Sequence, residues 1–483
     1  MADRLNSEKV LDYFKEISKI PRETGKEKEI SDFLVNFARE RNLEVVQDEV
    51  YNVVIKKKST IENYNGPAVI LQGHMDMVYE KDPDSHHKYE DGIEVIERDG
   101  YLYGNKTTLG ADNGIALAYF LALMDNDGIK HPDLEIVITT QEEAGLVGAQ
   151  KLDMSGLKGK YLINLDAEEE GVFFTSCAGG IRNYVHIPTN RQAIKGYIPL
   201  SITIHGLKGG HSGLEIDQER ANAIKLLGRL LYGINDEDIY LLSIEAPGKA
   251  NAISPISKAT LMIKENKREK IISRIRELEK VFQNEFKLTD KISIDIVSEK
   301  PAADIYNVYT QECKDNIINI LMLMPHGVIN KSMAIPGLVQ TSINIGSIEE
   351  GEDKISILSS IRSSVASQKY NLVDVITIIA NTFGGEAEFF NDYPEWEYKP
   401  ESRLRELVKE VYEENFNRQA KMTAIHAGLE CGYFANKLKD VDIISLGPDT
   451  FEVHTTKEHV SIESVKNVWL FLVKLLERIG EEG

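Results

Sequence analysis

The sequence predicts an α/β protein in which a mainly parallel sheet is flanked by helices, with an α+β region inserted into it. Three observations predict this class. Strand-like apolar runs alternate with helical spacing before about Ile181. This strand–helix alternation changes after that point and resumes after the segment NDYPEWEYKPES. Alternating strands and helices are typical of a parallel sheet covered by helices on both faces.

The elements of the first part are predicted from hydrophobic spacing. Apolar residues three and four apart indicate helices, and short apolar runs indicate buried strands. In order, the pattern predicts helices over 11–20 and 26–41, strands around a turn within 44–56, and strands over 68–71, 134–140 and 161–165. Asp112 and Asn113 precede an apolar helix, where capping side chains are common.

The inserted region and the last part follow from the same spacing. The pattern predicts helices over 219–232 and 268–286, near 354–367 and over 373–381, with strands between them. We interpret this region as two α+β units of related build. The last part is predicted to contain a helix over 403–416, a strand over 442–446 and a closing helix over 461–479.

Composition excludes several classes of partner. The chain has 483 residues and a formal net charge of −21, from 56 Lys and Arg against 77 Asp and Glu. This charge repels phosphate groups, so neither nucleic acid nor an anionic membrane is expected as a partner. Three separate cysteines without a CxxC motif favour a reducing compartment, and no apolar run reaches the length of a membrane span. We therefore expect a cytoplasmic protein.

Histidine and acidic side chains occur where predicted strands end. One such motif is weak evidence, because a His-x-Asp or His-x-Glu pair such as His74 and Asp76 should occur about twice by chance in this composition. Five segments together are stronger evidence, since sites in open α/β sheets form outside the carboxyl ends of the strands. The segments carry His74, Asp112, Glu142 with Glu143, Asp166, and His454.

The charge of these residues predicts a metal cofactor. Together with Asp76, their carboxylates would bring five negative charges into one cleft, which is costly for partly buried groups. Two divalent cations would neutralise most of that charge. Imidazole and carboxylate ligands without thiolate suit Zn²⁺ best, with Co²⁺ or Mn²⁺ as substitutes. Two Zn²⁺ per chain are therefore expected, in an arrangement typical of hydrolytic sites.

The motifs around these residues resemble those of a known family. GHMDMV, TTLGADNG, TTQEEAG, NLDAEEEG and LGPDTFEVHTTKE are similar to the metal-site motifs of the di-zinc metallopeptidases related to glutamate carboxypeptidase and aminoacylase. GNKTTLGADNGIALA, CAGGIRNYV, LKGGHSG and AIHAGLECG resemble the subgroup of dipeptidases that cleave Xaa-His and broader dipeptides. The resemblance spans nearly the whole chain. It implies a zinc-peptidase-like catalytic domain and a dipeptidase activity.

The resemblance also implies the ligands of the two metals. His74 and Asp166 would bind one zinc ion, Glu143 and His454 the other, and Asp112 would bridge them. It further implies a cis peptide bond after Asp112.

The same resemblance implies roles for groups beside the metals. Asp76 would accept the second ring N–H of His74 and orient it. Glu142 would take a proton from a metal-bridging water and pass it to the leaving amine.

The distance along the chain from Asp166 to His454 implies a split catalytic domain. We predict that it comprises 1–180 and 394–483, with 181–393 as an inserted lid. The resemblance implies that His211 of the lid stabilises the oxyanion of the tetrahedral intermediate. It also makes Asn251, His426 and Glu430 candidate substrate contacts, although a related tripeptidase has arginine in the place of His426.

Other functions fit the same residues. An N-acyl amino acid deacylase or a tripeptidase would use the same metals, and a metal-stabilised binding protein would use them without catalysis. Asn251 also suits a turn, and His426 also suits a buried structural histidine. The sequence leaves open the preferred dipeptide and whether the chain forms a homodimer.

Overall fold

The computed structural model describes residues 7–298 and 302–482. The ends of the predicted catalytic domain, 1–6 and Gly483, lie outside the described residues. The chain divides into two units. Unit 1 contains the described residues up to Cys177, together with Tyr398–Ala424 and the chain from Leu429 onward, and unit 2 contains Ala178–Glu397 and Ile425–Gly428.

The helices occur in both units. In chain order they are α1 Glu8–Ile17, α2 Lys28–Glu40, α3 Ala111–Met124, α4 Val147–Lys151, α5 Ala223–Ile234, α6 Arg268–Glu285, α7 Gln311–Leu323, α8 Ala366–Thr382, α9 Arg403–Phe416, α10 Cys431–Lys437 and α11 Ile462–Glu482. Among the described helices, none is long and apolar enough to cross a membrane.

The strands form several sheets. In chain order they are β1 Glu44–Gln47, β2 Val53–Lys57, β3 Val69–His74, β4 Val95–Arg98, β5 Tyr101–Gly104, β6 Leu134–Thr139, β7 Tyr161–Asn164, β8 Val172–Cys177, β9 Gly179–Pro188, β10 Arg191–Lys195, β11 Ile198–His205, β12 Gly210–His211, β13 Tyr240–Glu245, β14 Ala252–Ile253, β15 Ser257–Ile263, β16 Ser293–Ser298, β17 Ile305–Tyr309, β18 Gly327–Lys331, β19 Val339–Glu350, β20 Lys354–Ser363, β21 Glu386–Tyr393, β22 Lys421–Ile425, β23 Asp442–Ser445, β24 Thr450–Phe451 and β25 His459–Ser461.

Unit 1 is built on an eight-stranded sheet with the order β1-β2-β6-β3-β7-β23-β8-β22. The central strands β6, β3, β7 and β23 pair in parallel, whereas β1 pairs antiparallel with β2, β2 with β6, and β8 with β23. Strands β3 and β6 are buried along their whole length, as expected for central strands covered on both faces. Helix α3 is buried around nearly its whole circumference. The predicted α/β fold is confirmed.

Unit 2 contains two larger antiparallel sheets and two small two-stranded ones, β10-β17 and β12-β14. A five-stranded sheet has the order β18-β19-β20-β9-β21, and a four-stranded sheet has the order β13-β15-β11-β16. One apolar core joins residues of both sheets with the inner faces of α5, α6, α7 and α8. Helix α5 begins at Ala223, later than predicted, because the Asn222 side chain accepts hydrogen bonds from the N–H groups of Ile224 and Lys225.

One predicted helix is wrong. The segment near 354–367 was expected to be helical, but Lys354–Ser363 forms β20 between β19 and β9. Ile355, Ile357 and Ile361 are all fully buried. Their odd-numbered spacing fits the period of a strand, and backbone pairing on both sides favours it over the three-residue spacing of Leu358 and Ile361. The helix predicted over 373–381 is confirmed as part of α8.

Candidate metal centre

Three parallel strands bring four of the site residues, His74, Glu142, Glu143 and Asp166, to one edge of the sheet in unit 1. His74 is the last residue of β3 and lies opposite Thr139, the last residue of β6. Glu142 and Glu143 follow β6, and Asp166 follows β7, which pairs with β3 on its other side. Because the carboxyl ends of parallel strands meet at the same edge, residues distant in sequence become neighbours.

The start of α3 lies against the end of β3 because Gly73 has no side chain. A Cβ atom at Gly73 would overlap Asn113 Oδ1 and would lie 2.8 Å from the Cβ of Ala116. Asn113 Oδ1 accepts the His74 N–H at 3.2 Å, and its Nδ2 donates to the Leu165 carbonyl at 2.6 Å. The peptide bond between Asp112 and Asn113 is cis, as the resemblance implied.

Asp112 lies between the two histidines. Its Oδ1 is 3.1 Å from His74 Nε2, and its Oδ2 is 3.2 Å from His454 Nε2. His74 Nε2 also lies 3.4 Å from Asp166 Oδ1, and His454 Nε2 lies 2.7 Å from Glu143 Oε1. The structure thus brings together two groups of potential ligands that share Asp112, each with its ligand atoms within 4.8 Å of one another.

The electrostatic field of this cluster attracts cations. Hydrogen bonds to Asp112 and Glu143 raise the pKa of His454 to about 11. Burial alone would lower the pKa of His74, but Asp166, Asp112 and Asp76 raise it well above its ordinary value. Burial raises the pKa of Asp166 to about 6. The same negative field that favours protons on the histidines favours divalent cations, for which imidazole and carboxylate are suitable ligands.

Asp76 fixes more of the site than the sequence predicted. His74 Nδ1 lies 3.5 Å from Asp76 Oδ1, but it is closer, at 3.1 Å, to the main-chain carbonyl oxygen of Asp76. The Asp76 carboxylate accepts hydrogen bonds from the N–H groups of Glu142 at 3.0 Å and Glu143 at 3.3 Å, and from the Thr24 hydroxyl at 3.0 Å. It therefore also orients the segment that carries the two glutamates.

Glu142 has the electrostatics of a proton carrier. Burial raises its pKa well above the ordinary value, and the neighbouring carboxylates of Asp166, Glu430 and Glu143 raise it further. A raised pKa brings a carboxyl group closer to neutral pH, where it can both accept and release a proton.

The sequence did not identify two buried charged residues beside Asp112. The Glu458 carboxylate accepts the N–H groups of Leu109 at 2.8 Å, Gly110 at 2.9 Å and Ala111 at 2.7 Å. Arg22 donates to the carbonyls of Met75 at 3.1 Å and Gly110 at 2.5 Å. A single glutamate or arginine in a loop has no distinguishing pattern. Glu458, rather than Asp112 or Asn113, caps the start of α3.

In unit 2, His211 has the hydrogen bonds of a neutral donor. Its Nδ1 accepts the N–H groups of Gly213 at 3.2 Å and Leu214 at 3.1 Å, so the ring proton is assigned to Nε2. Burial and the nearby Arg362 lower its pKa. Ser212 donates its N–H to the Asn251 carbonyl at 2.9 Å, and Asn251 itself is exposed.

Arg362, which no sequence motif identified, lies with His211 and His426 around Gly213. A Cβ atom there would lie 2.8 Å from the His426 carbonyl oxygen, 3.1 Å from His211 Cε1 and 3.2 Å from Arg362 Nε. Arg362 Nη1 donates to the Tyr393 hydroxyl at 3.0 Å, while its buried Nε has no hydrogen-bond partner among the residues described. An arginine near the end of a strand predicted as helix gave no signal in the sequence.

His426 and Glu430 are both buried. His426 Nε2 lies 2.7 Å from the Ser342 hydroxyl, and burial lowers the pKa of His426 to about 3, so the ring is neutral. Glu430 belongs to unit 1, where its Oε2 accepts hydrogen bonds from Thr139 at 2.6 Å and Gln72 at 2.5 Å. Contact of Glu430 with a substrate would require its side chain to break its hydrogen bonds with Thr139 and Gln72.

A family model, a curated protein and a solved structure that match this chain are all peptidases. A model of peptidase family M20/M25/M40 matches residues 70–478. The chain is 34% identical over 482 residues to the cytosol non-specific dipeptidase of Escherichia coli (strain K12), and the match covers 99% of this chain and 98% of that protein. The crystal structure of aminoacylhistidine dipeptidase from Vibrio alginolyticus is similar at a TM-score of 0.93 and 32% identity, covering 99% of this chain and 98% of that one. Aminopeptidase PepT from Bacillus cereus shares the fold at a TM-score of 0.61 and 19% identity, covering 98% and 99% of the two chains.

Proposed function

The chain belongs to peptidase family M20/M25/M40, and we propose that it is a zinc-dependent dipeptidase that hydrolyses Xaa-His and other dipeptides. The observation that carries this proposal is the position of Asp112, whose two carboxylate oxygens each face one histidine. The names of the similar proteins from Escherichia coli and Vibrio alginolyticus support the substrate class.

The ligands of the proposed metals are those of the two groups that share Asp112. His74 and Asp166 would hold one Zn²⁺, and Glu143 and His454 the other, with Asp112 between them. When bound, two such ions supply Lewis acidity that polarises the scissile carbonyl and acidifies the attacking water. Co²⁺ and Mn²⁺ are the proposed substitutes.

Glu142 is the proposed general base and acid. Its raised pKa suits a group that takes a proton from the attacking water and later gives it to the leaving amine. The backbone hydrogen bonds to Asp76 hold Glu142 and Glu143 in register, so one residue can bind metal while its neighbour moves the proton.

Unit 2 is proposed to act as a lid that supplies the substrate contacts. The Nε2 proton of His211 is available to stabilise the oxyanion that forms as the peptide bond is attacked. Arg362 is the proposed partner of the substrate's C-terminal carboxylate, because its buried Nε has no partner among the described side chains and guanidinium binds carboxylate well. His426 and Asn251 are proposed to line the same surface.

The test compares wild type with Glu142→Gln for zinc content and for hydrolysis of Ala-His, Gly-Leu and N-acetyl-Ala-His. We expect two Zn²⁺ in both proteins and a fall in kcat of about 100-fold or more in the variant, the range for loss of a general base. Wild-type activity on the N-acetylated substrate alone would assign the protein to the deacylases instead. Two bound metals without hydrolysis of any substrate would favour a binding protein. We also propose a cytoplasmic location, which the word "cytosol" in the name of the Escherichia coli relative supports.

A further inference from the structure

We propose that Glu458 is a positioning residue that couples the two loops on which His454 and Asp112 lie, and that it thereby sets the affinity of the metal ion these residues share. The inference rests on the dinuclear centre of the proposed function. It concerns a carboxylate that is not itself one of the ligands.

The loop that carries His454 is held at both of its ends. Strands β24 and β25 pair antiparallel, with Phe451 opposite His459, so 452–458 forms the loop of a hairpin. The ring of His459 stacks on Phe451 with centroids 5.0 Å apart and on Tyr103 at the same separation. His454 has a φ of 62°, in the left-handed region, within this loop. The hairpin therefore presents His454 from a closed base rather than from a free segment.

Glu458 connects this hairpin to the start of α3. It is 2% exposed, and its two oxygens accept four backbone N–H groups from consecutive residues 109–112, at distances from 2.7 to 3.3 Å. The last of these N–H groups belongs to Asp112. Consecutive N–H groups at a helix start carry partial positive charge, so an ionised carboxylate binds them well. Movement of the hairpin would therefore move Asp112 as well.

Arg22 holds the same segment from its carbonyl side. Its guanidinium is buried and donates to the Gly110 and Met75 carbonyls. Gly110 has a φ of 71°, and a Cβ atom there would lie 2.5 Å from Arg22 Nη2, so glycine is needed for this approach. Because Met75 lies between His74 and Asp76, the Arg22 contact links the Asp112 segment to the first metal group. Glu458 and Arg22 together fix the segment that carries Asp112.

A matched control is available in the same unit. The Glu135 carboxylate on β6 is 4% exposed and accepts the N–H groups of Lys158 at 2.8 Å and Gly159 at 2.9 Å. It lies at the other end of β6 from Thr139, away from the metal-site residues. Substitution of Glu458 and substitution of Glu135 each remove a buried carboxylate that accepts backbone N–H groups. Only Glu458 lies near the proposed metal centre, so the comparison isolates the effect of that position.

The experiment is a titration of the full-length, metal-free protein with Co²⁺, followed by absorbance and by calorimetry. Wild type is expected to bind two Co²⁺ per chain. Glu458→Gln is expected to weaken one of the two binding steps by about 10- to 100-fold, the range for residues that orient metal ligands. Glu135→Gln should keep both Co²⁺ affinities within about threefold of wild type, even if its Tm falls as far as the Tm of Glu458→Gln. At saturating Co²⁺, the kcat of Glu458→Gln for Ala-His should fall while KM stays nearly constant.

The outcomes separate this proposal from the proposed function. Wild-type affinity for both ions in Glu458→Gln, or an equal loss in Glu135→Gln, would overturn the positioning role. Should Glu458→Gln not fold, Glu458→Asp keeps the charge but shortens the side chain, and the same comparison applies to it. Weakened Co²⁺ binding in a protein that cleaves no dipeptide would support the role of Glu458 and overturn the substrate class alone. A wild type that binds fewer than two Co²⁺ would overturn both.

Discussion

Replacement of Arg362 by alanine should remove the preference for substrates with a free C-terminal carboxylate. Arg362 Nε is buried without a partner among the described residues, while its Nη1 already donates to Tyr393. A hydrogen bond between charged groups contributes about 1.5–3 kcal/mol, which corresponds to about 10- to 150-fold in kcat/KM. Arg362→Ala should therefore lower kcat/KM for a dipeptide by about that factor.

The assay compares Ala-His with its C-terminal amide. Wild type should prefer the free acid, and Arg362→Ala should cleave the two at similar rates, because only the acid offers a negative charge to the guanidinium. Arg182→Ala serves as the control, since Arg182 is an exposed residue on β9, which pairs with β20 in the same sheet. If Arg362→Ala slows the acid and the amide equally, Arg362 acts through its contact with Tyr393 and the reasoning fails.

Two further predictions test the packing of unit 1. Gly73→Ala should destabilise the protein by about 1–3 kcal/mol, the usual cost of overpacking, because the new methyl group would overlap Asn113 Oδ1. The Tm of thermal unfolding and the affinity for Co²⁺ should both fall. An unchanged Tm would contradict the close approach of α3. Partial burial would raise the pKa of Asp125, but Lys9, Tyr13 and Arg41 lower it to about 2, so the ionised form contributes stability above its unfolded pKa that is lost as the pH falls towards 2. Asp125→Asn should therefore lower the free energy of unfolding by about 1 kcal/mol at pH 7, after allowance for solvent screening. The difference in Tm between the variant and wild type should narrow as the pH falls from 5 to 3. A Tm difference that stays constant would show that the charge of Asp125 is not its cause.

The sequence predicted those parts of the site that depend on strand order. His74 ends a buried strand, Asp166 and the Glu142–Glu143 pair follow two others, and a parallel sheet brings the ends of such strands to one edge whatever their separation in sequence. Hydrophobic spacing located β6 and β7 to within one residue, whereas β3 ends three residues later than predicted. Local pattern therefore carried most of the information about the catalytic fold.

Residues that act through the backbone were not predictable in this way. Glu458 acts on the N–H groups of a segment that precedes it by more than 300 residues, and Arg22 acts on carbonyl oxygens, so neither leaves a mark on its own neighbourhood. Arg362 was missed because its strand was assigned as helix. In β20 the alternation of Ile355 and Ile357 competes with an apolar spacing that also suits a helix, and only pairing with β9 and β19 decides between them.

The pairing of β7 with β23 has a consequence for synthesis of the chain on the ribosome. Tyr161 of β7 lies opposite Asp442 of β23, and all of Ala178–Glu397 is translated between them. The nascent sheet of unit 1 therefore has β7 as an edge strand until β23 has emerged, and an exposed edge strand is a template for pairing with other chains. Unit 2 is nearly continuous in sequence and can fold during that interval. Release of the chain before β23 would leave a folded insertion attached to an incomplete sheet that is prone to aggregation.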